Sequence, residues 1–251
     1  MKRIDSVKNE HVKRWKKLHT KKGRETAGRF LVEGYHLVEE ALKANMAVEY
    51  ILMTEGAILP SSLSMQDQDM IIVSDQVMKE LSETETPQGI AAVCVIPTEP
   101  NVDKVTGQYL LLDRIQDPGN LGTMIRTADA AGMTGVILGE GSVDVFNSKV
   151  IRATQGSIFH LPVIKGNLEK WIEVFKKSSI PVFGTALNEA SSYSAIQPQS
   201  HFALIMGNEG EGVAQPLLEK TDQNIYIPIH GQAESLNVSV AAGILLYYLR
   251  G

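Results

Sequence analysis

Leu111-Leu112-Asp113-Arg114-Ile115-Gln116-Asp117-Pro118-Gly119-Asn120-Leu121-Gly122-Thr123-Met124-Ile125-Arg126-Thr127-Ala128 reads as a strand that turns into a helix. The apolar run over 109–115 is the strand, Asp-Pro-Gly-Asn is the turn, and the helix runs over 121–131. On structural grounds alone Asn120 caps that helix and Arg126 is a surface charge. The same pattern continues downstream, with strands expected over 135–138, 181–187, 202–206 and 225–229, and helices over 148–154, 168–177, 214–220 and 236–249. Near-continuous apolar strands separated by helices predict an α/β fold with a parallel sheet covered on both faces. Open sheets of this kind bind ligands beyond the carboxyl ends of their strands, so Asn120 and Arg126 are also candidate site residues.

Upstream lies a smaller α/β unit. Apolar residues at helical spacing (His36, Leu37, Val38, Ala41, Leu42) predict a helix within 30–42. Strands are expected over 50–53, 70–73 and 89–96, and Ser74 caps a helix over 75–81. Two prolines without apolar periodicity mark a linker over 97–108. The chain has 251 residues, 43% hydrophobic and 21% charged, with a net charge of −5. These values exclude a disordered chain, a collagen-like repeat and a disulfide scaffold, and the length suffices for two domains. The charge is unevenly placed. Residues 1–29 hold 11 Lys or Arg against three acids, a basic arm of +8 on a body of −13. Such an arm is either a solvated terminal helix or a contact for a polyanion through counterion release. Trp15 within it either stacks on a base or pins the helix to the core. The single cysteine, Cys94, sits in an apolar run and reads as a small buried hydrophobe. No run approaches the ~20 apolar residues of a membrane span, and no apolar secretory core follows the first residues. A reducing, cytoplasmic location is therefore expected.

Two further glycine-rich clusters follow strands. Gly207-Asn208-Glu209-Gly210-Glu211-Gly212 is neither a P-loop nor a dinucleotide fingerprint, yet its glycines permit close backbone approach to a ligand. Glu209 there is either a carboxylate near a helix start or a functional acid. In 225–243 a strand passes through a polar loop into the last helix, with Ser235 at the expected N-cap and Asn237 in the first turn. The six histidines show no metal-ligand spacing, and there is no Gly-x-Ser-x-Gly elbow.

In this order and spacing, residues 117–126, 207–212 and 227–239 resemble the three motifs of the SpoU/TrmH family, RNA ribose 2′-O-methyltransferases of the SPOUT class. The segment 30–96 is similar to that family's L30e-like substrate-binding domain, leaving 1–29 as the arm, 97–108 as the linker and 109–251 as the catalytic domain. The resemblance implies a C-terminal chain threaded into a trefoil knot, an exception to unknotted connectivity. It implies S-adenosylmethionine bound near Gly207, Ile227, Leu236 and Thr185, a homodimer that completes each active site, and no metal. The implied catalytic residues are Arg126, Asn120, Glu209, Ser235 and Asn237. Arg126 would bind the phosphate beside the target ribose and help with the 2′-hydroxyl proton, and the other four would orient it, the ribose and the cofactor. A guanidinium keeps its proton in proteins, which favours anchoring over literal base catalysis. The basic arm on an L30e-like domain points to ribosomal rather than transfer RNA. A base-nitrogen methyltransferase and a non-enzymatic RNA-binding protein remain the alternatives.

Overall fold

A computed structural model describes residues 2–57, 69–98 and 105–251. In chain order the elements are β1 (Lys2–Ile4), α1 (Glu10–Lys17), α2 (Lys21–Ala27), β2 (Arg29–Glu33), α3 (Tyr35–Lys43), β3 (Val48–Met53), β4 (Asp69–Val73), α4 (Asp75–Leu81) and β5 (Ile90–Val95). There follow β6 (Gln108–Leu112), α5 (Pro118–Ala130), β7 (Gly135–Leu138), α6 (Ser148–Thr154), β8 (Val163–Lys165), α7 (Leu168–Lys177), β9 (Val182–Thr185), β10 (Ser191–Ser192), β11 (Phe202–Met206), α8 (Gln215–Leu218), β12 (Gln223–Tyr226) and α9 (Val238–Arg250). The chain divides into two units. The first comprises residues up to Thr98 together with Phe146–Phe159, and the second the remainder. Half of the expected linker, 99–104, lies outside the described residues.

The first unit is built on a mixed sheet of order β1-β4-β3-β5-β2. Its inner strand β5 is apolar at every position because both faces are covered. Ala91 and Val93 face a cluster with Val12, Trp15, Ile71 and Met78, while Ile90, Ala92 and Cys94 face Phe30, Val38, Ile51 and Ile151. Burial pushes the Cys94 thiol up to about 12, far from any nucleophilic thiolate.

Residues 1–29 are an integral part of this unit and not an appended arm. β1 pairs in parallel with β4, and α1 buries Val12 and Trp15. Trp15 is 4% exposed, with ring centroids 5.6 Å from His11 and 5.7 Å from Tyr50, so it pins the helix to the core. Several of the cations are engaged locally. Lys13 pairs with Glu10 at 2.7 Å, Lys16 pairs with Glu80, and the buried Arg24 donates to the carbonyls of Leu18 and His19. Among the described residues the side chains of Lys8, Arg14, Lys17 and Lys22 make no hydrogen bond or ion pair, although Arg14 and Lys17 act through space on Glu10.

Two other features depart from the sequence reading. The helix expected within 30–42 is α3, but residues 29–33 before it form a strand the sequence reading lacked, because Phe30 and Val32 alternate inward and Gly34 at φ +94° delays the helix to Tyr35. The segment 146–159, expected in the catalytic domain, packs into the first unit through Ile151 and through Phe146 against Phe30 at 4.6 Å.

The second unit holds a seven-stranded, wholly parallel sheet of order β10-β12-β9-β11-β6-β7-β8. Its core joins Leu111, Ile137, Ala203 and Ile205 to Leu168, Ile172 and Phe175 of α7. Helix α9 turns Ala242, Leu245, Leu246 and Leu249 inward and packs on α5. Its opposite face exposes Val240, Ile244 and Tyr247, one stripe at i, i+4 and i+7. From β6 the chain runs outward through β7 and β8, then returns to build β9, β11 and β12 on the other flank. The switch in direction lies between β6 and β11, where such sheets open a ligand crevice.

Candidate active site

Three loops, after β6, β11 and β12, leave the carboxyl ends of their strands and meet at this switch point. The first follows β6. Asp117, in the extended conformation before Pro118, caps α5 by accepting from the Asn120 backbone N–H at 2.7 Å. Asn120 is therefore not the cap that the sequence suggested. It sits on the third helical residue with its side chain free to reach elsewhere. Asp before Pro at a helix start is itself an N-cap signal, so Asp117 was legible in the sequence.

The second loop follows β11. A Cβ at Gly207 would overlap the backbone of Gly212 and Val213, so only glycine lets the loop fold back on itself. Asn208 holds the turn. Its Oδ1 accepts from the N–H groups of Gly210 and Glu211 at 2.9 and 3.0 Å, and its backbone pairs with Gly212. The loop thus presents Glu209 to the first loop. The Glu209 carboxylate accepts from the backbone N–H of Gln116 at 3.1 Å, that of Asp117 at 3.0 Å and the Asn120 Nδ2 at 3.1 Å.

The third loop precedes α9. Here Asn237, and not Ser235, is the N-cap, with Oδ1 accepting from the Ser239 N–H at 2.9 Å and from the Val240 N–H. Its Nδ2 donates to Asn120 Oδ1 at 2.9 Å. The direction of this relay is set at both ends. A carboxylate can only accept, so the Asn120 amide nitrogen faces Glu209 and its oxygen faces Asn237. Helix N–H groups can only donate, so Asn237 turns its oxygen to α9. One chain of hydrogen bonds thereby joins all three loops.

Burial by itself pushes the Glu209 carboxyl up. The N–H of Asp117, the Asn120 side chain and the N–H of Gln116 outweigh it and hold Glu209 below the usual carboxylate range. A group depressed in the folded state contributes stability above its unfolded pKa of about 4.3 and loses that contribution as pH falls through the folded value. The melting temperature of Glu209→Gln should therefore fall about 2–4 °C below that of the parent protein near neutrality, the scale of a net ~1 kcal/mol for a partly exposed group. The gap should close on acidification below about pH 4. A gap that stays constant between pH 7 and 3 would show that the charge plays no part.

The other expected residues separate into two sets. Thr185, Gly207 and Ile227 stand at the carboxyl ends of β9, β11 and β12, which the sheet order makes neighbours. The Thr185 hydroxyl is committed to the Ile205 carbonyl at 2.9 Å, bracing β9 against β11. Leu236 is exposed beside Asn237, and Ser235 is exposed with no hydrogen bond to a described residue. Arg126 is exposed and unpartnered among the described residues, and it does not join the relay. Six residues beyond Asn120 on α5, it lies about 9 Å further along the axis and about 240° around it.

The chemistry of the crevice suits a nucleoside-bearing cofactor. Among the described residues, none of 227–236 donates or accepts a hydrogen bond, so a run of backbone N–H and C=O groups stands free beside the apolar side chains of Ile227, Ile229 and Leu236. Free backbone groups can read a base edge while apolar side chains cover its faces. No group of three or more His, Cys, Asp or Glu side chains gathers to hold a metal among the described residues.

Comparison with known proteins gives a consistent picture. The SpoU rRNA methylase family matches residues 107–247, and the MRM3-like substrate binding domain matches residues 9–92. The chain is 53% identical over 251 residues, 100% of both chains, to the 23S rRNA (guanosine(2553)-2′-O)-methyltransferase RlmP of Bacillus subtilis (strain 168). Among solved structures it is similar to the AdoMet-bound rRNA methyltransferase of Sinorhizobium meliloti, with a TM-score of 0.86 and 30% identity over 99% of this chain and 97% of the other. It is also similar to the SpoU methyltransferase AviRb of Streptomyces viridochromogenes in complex with AdoMet, with a TM-score of 0.85 and 27% identity over 96% and 97% of the two chains.

Proposed function

The chain belongs to the SpoU rRNA methylase family, and from that premise we propose that it methylates a guanosine of 23S rRNA, the one named for the Bacillus subtilis relative. It is an S-adenosylmethionine-dependent enzyme that acts on a ribose 2′-hydroxyl of rRNA. The observation that carries the reading is the relay Glu209–Asn120–Asn237, which draws three motifs spread over residues 117–239 into one crevice.

A ribose 2′-hydroxyl is a weak acid and a poor nucleophile, so the reaction depends on in-line positioning and on help with the proton. S-adenosylmethionine supplies a methyl group activated by its sulfonium. Gly207, Ile227 and Leu236 hold it, with Thr185 bracing the strand ends beneath. Asn120 and Asn237, fixed by Glu209 and by the start of α9, present polar groups of set direction to the ribose, and Ser235 adds an uncommitted hydroxyl. Arg126 binds the phosphate next to the target ribose and stabilises negative charge as the hydroxyl loses its proton.

Arg126 lies away from the relay of its own chain, and α9 beside it exposes Val240, Ile244 and Tyr247. Both features support a homodimer formed through this face, with Arg126 serving the partner's crevice. The strand order supports a knotted C-terminus, since the chain must return from β12 on one flank to pack α9 on α5. The first unit serves as the RNA-binding domain. An rRNA substrate supports a cytoplasmic location. No helix among the described residues is long and apolar enough to cross a membrane.

Ribose-methylation mapping of 23S rRNA from cells with and without the gene tests the assignment. Loss of one methylated guanosine on deletion is expected. A methyl that nucleoside mass spectrometry places on the base, or an unchanged rRNA, would reject it. For the first unit, Arg14→Gln with Lys17→Gln removes two cations whose side chains form no ion pair among the described residues. Their loss should flatten the slope of log K against log salt for rRNA fragments by about 2, at roughly 0.9 per phosphate contact. Lys13→Gln with Lys16→Gln, which removes cations already paired with Glu10 and Glu80, should have the smaller effect. Equal effects from the two pairs would refute the distinction.

A further inference from the structure

Arg114, which no motif singles out, has a backbone and a side chain that both call for explanation. Its φ of +53° lies in the left-handed region that an arginine rarely occupies. Such outliers persist where surrounding contacts hold them. Here the contacts come from three loops. Arg114 Nη1 donates to the Glu211 carboxylate at 2.5 Å, Nη2 to the Gly212 carbonyl at 3.4 Å, and Nε to Asp113 Oδ2 at 3.4 Å. The Arg114 carbonyl accepts from Asn208 Nδ2 at 2.9 Å. On the far side a Cβ at Gly141, in the loop after β7, would press on the Arg114 stem, and Gln116 Nε2 donates to the Gly141 carbonyl at 2.6 Å. Asp113 completes the tie by accepting from the Ala214 N–H at 2.8 Å, just beyond the glycine-rich loop.

Glu209 hangs from the loop thus gripped at both ends, between Asn208 and Glu211. We infer that Arg114 is a positioning residue, a latch that closes the 207–213 loop over the cofactor crevice and so holds Glu209 against Gln116, Asp117 and Asn120. Its planar fork suits the task because it reaches the Glu211 carboxylate and the Gly212 carbonyl together, which a single ammonium cannot match. This assignment rests on the reading of that loop as a cofactor-contacting segment.

Arg114→Gly in the full-length chain separates a latch from a residue that merely stabilises the fold, because glycine adopts φ +53° without strain. The melting temperature should hold or rise while the S-adenosylmethionine Kd, read by calorimetry, increases about tenfold. Without cofactor, the amide hydrogens of Gln116 and Asp117 should exchange faster, as the Glu209 carboxylate loosens its grip. Arg114→Lys should recover part of the affinity, and Glu211→Gln should weaken binding in the same direction by a smaller factor. A Kd within twofold of the parent in both Arg114→Gly and Glu211→Gln would overturn the latch, as would a fall in melting temperature that matches the loss of affinity. If the parent protein itself binds no S-adenosylmethionine, the cofactor reading fails. The exchange of Gln116 and Asp117 then still decides whether Arg114 holds the loop.

Discussion

Arg126→Ala is expected to slow ribose methylation by about 10²–10³-fold, the range seen when a preorganised group facing developing charge is removed. The S-adenosylmethionine Kd should stay within about twofold of the parent value. The reasoning starts from placement. Arg126 is exposed on α5, outside the relay that links Asn120, Glu209 and Asn237. Its removal leaves the crevice and its hydrogen bonds intact. In the proposed reaction it would supply a fork of donors for a phosphate, a contact that would strengthen as the neighbouring hydroxyl gives up its proton. The loss should appear in kcat and kcat/KM together, with a further rise in the KM for RNA from the missing phosphate contact. Arg126→Lys keeps the charge but not the planar fork and should recover only part of the rate. Methylation by Arg126→Ala at more than a tenth of the parent rate would remove Arg126 from the reaction. A matching loss of cofactor affinity would move it into the cofactor site.

Gly207→Ala should have a large effect, about tenfold smaller in size, by another route. The added methyl has no space, because the backbone of Gly212 and Val213 occupies the position it needs. Neither backbone can swing aside as a flexible side chain would, so the loop must open. Opening breaks the pairing of Asn208 with Gly212 and draws Glu209 away from Gln116, Asp117 and Asn120. Overpacking of this kind costs about 1–3 kcal/mol, roughly a 10- to 100-fold loss of cofactor affinity if the closed loop is the binding-competent form. The melting temperature should fall as well. That joint loss contrasts with Arg114→Gly, in which affinity falls and the melting temperature does not. Calorimetry and thermal melts on the two variants side by side check both. Parent-like affinity in Gly207→Ala would mean that the loop need not close for binding.

The sequence reading was most reliable where the deciding forces are local. Runs such as Phe202–Met206 are buried on both faces and carry an unbroken apolar signal, and Ser74 caps α4 as its position predicts. It was least reliable at boundaries. The last helix was expected to begin at Leu236, yet Asn237 caps it, because an Asn followed by Val238 competes well with a Ser two residues earlier. The first 29 residues looked like an appendage because charge dominates their composition. The few apolar residues among the lysines, Ile4, Val12, Trp15 and Leu18, decide their placement by joining the core of the first unit.

The sequence by itself determined the alternation of strands and helices, the glycine-rich ends of β6 and β11, and the identity of the polar residues near them. Each follows from neighbours a few positions away, through hydrophobic period, φ preference and capping. Only the tertiary structure decided which of those residues meet. Asn120 and Glu209 are 89 positions apart, and Asn120 and Asn237 are 117 apart. Their hydrogen bonds exist because a parallel sheet of fixed order delivers three strand ends to one edge. Arg114 shows the same limit. Its strained backbone and its grip on Glu211 arise from packing between distant loops, and no local pattern of residues encodes a contact of that kind.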